Sequence, residues 1–391
     1  MNTSISKGGV FALMVAHCAG MVDLVALPVW IAALVQDHQL DPQQAGGIVT
    51  LFLVGVVLAS VTVARRLGTL NARAIATLGY LLAGAGFGAL SIVNDLAAVA
   101  GLHLLSGLCA GAALSVTHGT IGRASNPHRL FALVGIALGV FAIGFLGAAA
   151  PMVHEMGGVV LFRMLGAVMV VAGVVAAVTF PHAEGGGHVS AAKPEPIPMP
   201  AWFAVAGISI MALVQAMTFS FLERAGHARG FSVAQITGVL VAIGVVNLFP
   251  AAAAAILERR LSVNWVLAAG PIVQAVLSAV IMASTSFAPY AAAASVLAAV
   301  MIFTHTFAFG VTGRLDRGGR AVAATPAMLM AGAAIGPVLG GTLIKYIGFW
   351  SIGVTAAALA GLALTCFFRA QFPDPSSPTD LGANSAKEST T

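Results

Sequence analysis

The chain reads as long apolar runs separated by short polar gaps. Twelve runs are recognisable, at about 9–35, 45–64, 74–93, 97–119, 131–152, 159–180, 201–222, 234–256, 265–286, 290–312, 321–344 and 348–369. A helix that crosses the hydrocarbon layer needs about 20 apolar residues. A barrel strand needs about half that number and alternates apolar with polar. These runs have the first length and lack the alternation. The pattern therefore predicts an all-α integral membrane protein with twelve transmembrane helices, since a helix satisfies its own backbone polar groups in lipid. No small-residue cleavage site follows the first run, which is read as a retained span.

One gap differs from the rest. Residues 181–200 carry three consecutive glycines and then alternating prolines, a composition that cannot form a helix and reads as a linker. It divides the chain into an N-terminal six-helix half (1–180), a linker (181–200) and a C-terminal six-helix half (201–369). The tail at 370–391 is rich in Ser, Thr, Asp and Pro and is expected to be disordered.

Composition fixes the solvent. Hydrophobic residues make up 59% of the 391 and charged residues 8%, against about 25% charged in a soluble domain. Only lipid can cover that much apolar surface. The net charge of +5 is a topology signal, not a nucleic-acid patch. If both termini are cytoplasmic, all but four of the 18 Lys and Arg residues fall on the inner side. Arg163, Arg224, Arg229 and Lys345 stay outside. Cytoplasmic loops retain positive charge, so this orientation is expected, in the cytoplasmic (inner) membrane of a bacterium. The cysteines, Cys18, Cys109 and Cys366, lie in separate spans with no disulfide or metal-binding spacing. No metal and no cofactor is expected.

Of the 31 charged residues, 30 sit in the gaps or at span ends. Asp23 lies inside the first run. An ionised carboxylate at mid-membrane costs about 2.5–3.5 kcal/mol on insertion scales. A carboxyl that is neutral when sealed and ionised when wetted is what proton coupling requires.

The halves echo each other. Arg65-Arg66-Leu67 follows the second span and Arg259-Arg260-Leu261 the eighth. Gly135 and Gly139 in the fifth span correspond to Gly332 and Gly336 in the eleventh, and Phe162-Arg163 opens the sixth much as Phe349-Trp350 opens the twelfth. Two like-oriented six-helix halves mark one large transporter class. Over residues 9–369 the chain resembles the major facilitator superfamily. That family's loop between spans two and three reads Gly-x-x-x-Asp-Arg-x-Gly-Arg. Here Arg66-Leu67-Gly68 keeps Arg-x-Gly, with Arg65 in place of the Asp. In the second half Glu258-Arg259 keeps the acidic–Arg pair. His103 precedes Leu104-Leu105-Ser106-Gly107 where the family often has Arg. Span eleven carries Ala333-Ala334-Ile335-Gly336-Pro337-Val338-Leu339-Gly340-Gly341, a glycine-proline pattern common in the family. Asp23 with Ala26-Leu27-Pro28 is similar to a first-helix pattern of drug:proton antiporters.

The resemblance implies that Arg65, Arg66, Gly68, Glu258 and Arg259 belong to gating loops, with a latch that differs from the family's because Arg65 replaces the acid. It also implies that spans one, four, seven and ten line a cavity. Their polar residues agree: His17 and Asp23; His103, Ser106, Ser115, Thr117 and His118; Gln215, Thr218 and Ser220; Thr304, His305 and Thr306. The other spans are plainer, with Thr50, Asn247, Gln274 and Thr325 as exceptions. Asp23 and His305 are the proton-coupling candidates. Substrate contacts are expected at Asp23, His17, Ser115, His118, Gln215, Asn247, Thr304 and His305. His305 lies between two threonines able to fix its tautomer. Gln215 stands where Asp23 has its counterpart, so the carboxylate is expected on one side only. Trp30 reads as an interfacial belt aromatic.

Function follows from these expectations. Absence of mid-membrane Lys or Arg favours neutral, zwitterionic or cationic amphipathic cargo over dianions. Arg163 and Lys345 keep an anion exporter open. No GxxxxGK[ST] loop is present, and no HExxH or paired carboxylates mark an enzyme. The expected protein is a monomeric secondary transporter of a small organic molecule, using alternating access and proton-coupled efflux. Its partners would be protons, substrate and the lipid bilayer, without nucleic acid. Proton-coupled uptake or facilitated diffusion is the alternative, with a membrane enzyme or channel behind it.

Overall fold

The computed structural model describes residues 5–64, 66, 69–181, 197–258, 260–315 and 320–371. The tail at 372–391 and the linker residues 182–196 lie outside them, as do Arg65, Gly68 and Arg259 of the expected gating loops. The described residues form helices and no strand. Twelve helical stretches are long and apolar enough to cross a membrane, from Lys7–His38 (span 1) to Trp350–Gln371 (span 12). Spans 1 and 7 are the most enclosed of the twelve, as expected of helices at the centre of the bundle. Spans 4 and 10 are no more enclosed than the others.

Several spans are broken. Span 1 comprises Lys7–Gly20 and Val22–His38, interrupted at Met21. The Met21 backbone leaves the helical region (φ −109°, ψ 5°), and its N–H turns back to the carbonyls of His17 and Ala19. Pro28, lacking an N–H, then frees a second carbonyl in the next turns. Span 7 (Met199–Phe219) ends at Ser220, and a short helix, Leu222–His227, follows. Span 8 divides into Val233–Val246 and Pro250–Leu257, with Asn247 at the break.

These breaks show where the halves meet. Val22–His38 packs against span 7 and Leu222–His227 of the other half, whereas Lys7–Gly20 packs within its own half. Val233–Val246 of span 8 packs on span 5, whereas Pro250–Leu257 packs on span 10. Span 2 packs extensively on span 11. The halves are thus joined at the end that carries the span 1–2 and 7–8 connections, and they part toward the end that carries the termini. The pairs 2–11 and 5–8 are the two copies of one contact expected if the halves are related by symmetry.

The joined end is close-packed and hydrogen-bonded. Thr50 Oγ1 of span 2 donates to the Ala334 carbonyl of span 11 (2.7 Å) and accepts from the Val338 N–H (3.3 Å). Lys345 Nζ donates to Asp41 Oδ2 (2.9 Å) and Gln43 Oε1 (3.2 Å). Gly46 faces the Pro337 carbonyl and Gly341 the Pro42 carbonyl so closely that a methyl group on either would overlap backbone. In lipid, where burial of apolar surface gives helices no net attraction, such close approach is what holds them.

Candidate functional site

Asp23 opens the second segment of span 1. It is 1% exposed. Its Oδ1 accepts the Leu24 N–H at 2.9 Å, and the first turn of a helix favours negative charge. Oδ2 is buried with no hydrogen-bond partner among the described residues. Tyr80 of span 3 lies within electrostatic range and donates its hydroxyl to the Ala16 carbonyl at 2.6 Å. Gly20 makes that approach possible, since a β-carbon there would meet the Tyr80 hydroxyl at 2.8 Å. Asp23 therefore sits near the level where the halves begin to touch, with one oxygen still able to take a proton or a ligand donor.

His17 and His118 meet. Nδ1 of His17 and Nε2 of His118 are 3.0 Å apart, with ring centroids at 5.1 Å. One nitrogen must donate and the other accept, so the contact holds one shared proton. It joins the terminal-side segment of span 1 to span 4. The sequence places these residues 101 positions apart, and only the fold pairs them.

The remaining expected residues are distributed differently. His305 has an unpartnered buried Nδ1 and packs on Phe309 at 4.8 Å. Its neighbouring threonines do not fix its tautomer. Thr306 donates to the Ile302 carbonyl, and Thr304, 1% exposed, is wedged against Gly270 of span 9. Thr304 thus packs span 10 against span 9. Ser115 donates to the Ser60 carbonyl of span 2 at 3.3 Å. Gln215 and Asn247 each keep an unpartnered side-chain oxygen. Asn247 adjoins Leu248, which packs on Gly139 of span 5. Of the loop residues, Arg66 and Glu258 are exposed.

One expectation fails on packing. Trp30 is not an interfacial belt residue: it is 0% exposed and ringed by Phe52, Phe87 and His103. Its indole N–H donates to His103 Nε2 at 3.3 Å, while His103 Nδ1 contacts the Val99 carbonyl at 2.8 Å. Both His103 nitrogens are occupied, so this histidine holds a buried aromatic cluster together. Lys345 pairs with Asp41 across the halves.

The carboxylate is also not one-sided. Glu223, four residues beyond Phe219, is in sequence one of the 30 charges in gaps or at span ends. The break after Phe219 folds it back into the core, where it is 4% exposed. Its Oε1 lies 3.5 Å from His227 Nε2, and its Oε2 has no hydrogen-bond partner among the described residues. Burial raises its pKa above the usual carboxylate value, with His227 and then His154 opposing the shift. An acid followed by His four residues later was the sequence signal. His154, from span 5 of the other half, could be found only in the fold.

Comparison with known proteins agrees with this architecture. The profile of the Major Facilitator Superfamily matches residues 12–315. No curated protein sequence matches the chain. Among solved structures, a bacterial homologue of the human lysosomal transporter Spinster aligns in its inward-facing occupied conformation with a TM-score of 0.67, at 15% identity over 93% of each chain. Its unoccupied form aligns with a TM-score of 0.64, at 13% identity over 92% of each chain. A mutant of the nucleoside transporter NupG aligns with a TM-score of 0.70, at 11% identity over 93% of this chain and 98% of that one. At such identities the likeness concerns the fold. A family match over most of the chain, with two six-helix halves meeting at one end, makes this protein a member of the Major Facilitator Superfamily, a multi-pass secondary transporter of small molecules that works by alternating access.

Proposed function

We propose that transport is coupled to protons through Asp23, and that the direction is efflux by antiport. The observation that carries this reading is the buried Oδ2 of Asp23, without a partner at a break in the most enclosed helix. A carboxyl so placed is best accommodated when protonated and releases its proton when the cavity wets it. The His17–His118 contact lies on the same helix toward the end where the halves part. The inner segment of span 1 thus offers titratable groups from that end to Asp23. With the termini cytoplasmic, as the distribution of Lys and Arg favours, the open end faces the cytoplasm of a bacterial inner membrane. His305, Gln215 and Asn247, each with an unsatisfied polar atom, are the proposed substrate-orienting groups. They are neutral amides and an imidazole. Together with one acid they suit a neutral, zwitterionic or cationic amphipathic molecule.

The test is Asp23→Asn in proteoliposomes under an imposed pH gradient. The expected result is loss of gradient-driven flux with a thermal unfolding midpoint close to wild type. Undiminished gradient-driven flux would remove Asp23 from the mechanism.

A further inference from the structure

The end at which the halves join carries a second arrangement of titratable groups, made from both halves. Glu223 is buried behind His227. His227 stacks on His154, with ring centroids 6.4 Å apart and planes 13° from parallel. His154 ends span 5 of the N-terminal half, while Glu223 and His227 follow span 7 of the C-terminal half. Both imidazoles are exposed, so they stand between the acid and water at that end. The stack exists only while this end is closed, because its two rings belong to different halves.

Among the described residues, no Lys or Arg forms an ion pair with Glu223. Arg229 is committed elsewhere: Nη1 donates to the Ala225 carbonyl at 2.9 Å, Nη2 to the Met282 carbonyl, and the guanidinium lies over Phe349. Arg224 shares the short helix with Glu223 and His227. Tyr290, within electrostatic range, spends its hydroxyl proton on the Leu222 carbonyl at 2.9 Å. Span 5, which brings His154 to this helix, also carries Glu155 at its end. Of the four helices packed most on Leu222–His227, three (Met199–Phe219, Val233–Val246 and Val263–Ala283) contain no charged residue and no histidine. The fourth is Val22–His38. Its Asp37 is turned to the Gly158 N–H and its His38 to Phe162, both at span 6, and Asp23 lies near its start.

We infer that Glu223 is a second proton-binding site, separate from Asp23, which takes up one proton through His227 and His154 when this end of the transporter closes and releases it when the end opens. The proton passes from water to an imidazole and from imidazole to the carboxylate, and each histidine returns to its starting state. Closure removes the carboxylate from water, so the neutral acid is the form it favours. Its folded-state pKa is raised by burial. The closed state is therefore favoured at low pH and is lost as pH rises through that raised value. One proton limits the slope to at most about ten-fold in the closed-to-open ratio per pH unit.

The experiment measures the distance between spin labels at Glu155→Cys and Ile347→Cys, on opposite halves at this end. It uses full-length protein in nanodiscs with the three native cysteines replaced, from pH 5 to pH 9. In otherwise unaltered protein the short-distance population should fall as pH rises. Glu223→Gln should hold it high and flat across the range. Glu223→Asp, a control for folding, should restore a titration. His227→Ala should move the midpoint to higher pH, because its opposing charge is gone. Asp23→Asn should keep the titration, which separates this site from the proton reading of Asp23. A wild-type titration in Glu223→Gln, or a titration abolished by Asp23→Asn and unaffected by Glu223→Gln, would overturn the assignment.

Discussion

Single residues here are decided by whether their polar atoms find partners. In lipid an unsatisfied group has no water to turn to, so each pairing carries weight. His103 is settled by Trp30 and the Val99 carbonyl. His17 and His118 settle each other. Removing one member of the latter pair leaves the other unpaired, a cost of about 1–3 kcal/mol. His118→Phe should therefore lower thermal stability in detergent, as should His17→Phe. The double replacement should cost clearly less than the two together. Strict additivity in that double-mutant cycle would mean that the 3.0 Å contact contributes nothing. Asp23 and Glu223 differ from these histidines, since each keeps one buried oxygen unpaired. That is costly for a structural residue and useful for one that must gain and lose a proton.

At the scale of elements, the breaks matter more than the helices. A continuous span 1 would carry Asp23 past as an ordinary position. The turn at Met21 places it in a first turn instead, with the Leu24 N–H on one oxygen. The break after Phe219 does the same for Glu223. Contacts between spans 2 and 11 then set how firmly one end stays shut. Thr50 makes two of these at its single hydroxyl. Thr50→Val keeps the shape and deletes the donor to Ala334, a loss of about 1 kcal/mol. The ratio of open to closed at this end should rise by roughly five-fold, read as cysteine accessibility on the cavity-facing side of span 2. Unchanged accessibility would show that small-residue packing alone holds the contact.

For the whole molecule, closure at one end is a sum of separate terms with different responses to pH and salt. The Lys345 ammonium holds the Asp41 carboxyl below the usual carboxylate range. That pair is therefore fully formed above the ordinary acidity of Asp, and it is lost only as pH falls through the lowered value. It cannot produce a loss of closure as pH rises, the direction expected of Glu223, whose pKa burial raises. Asp41 and Lys345 are also partly open to water, so added salt should screen them. Lys345→Ala should raise the open fraction at low ionic strength and have little effect at 1 M salt. A mutant effect that persists undiminished at high salt would assign Lys345 a packing role on Tyr346 and Gln43 instead.

Much of this molecule is determined by order along the chain. Apolar runs of bilayer length admit only helices, because no other segment satisfies its own backbone in lipid. Their number, the central gap and the isolated Asp23 follow from the same pattern. Local sequence does not say which way a side chain faces or who meets it. Trp30 has the composition of a belt residue and is buried because span 1 lies at the centre. Thr304 has a cavity residue's chemistry and is packed against Gly270. His17 meets His118, Lys345 meets Asp41, and His154 meets His227 only because distant helices converge. Hydropathy is a property of each position and survives in the linear chain. The state of a polar atom depends on its neighbours in space, and in this protein those neighbours come from other spans and often from the other half.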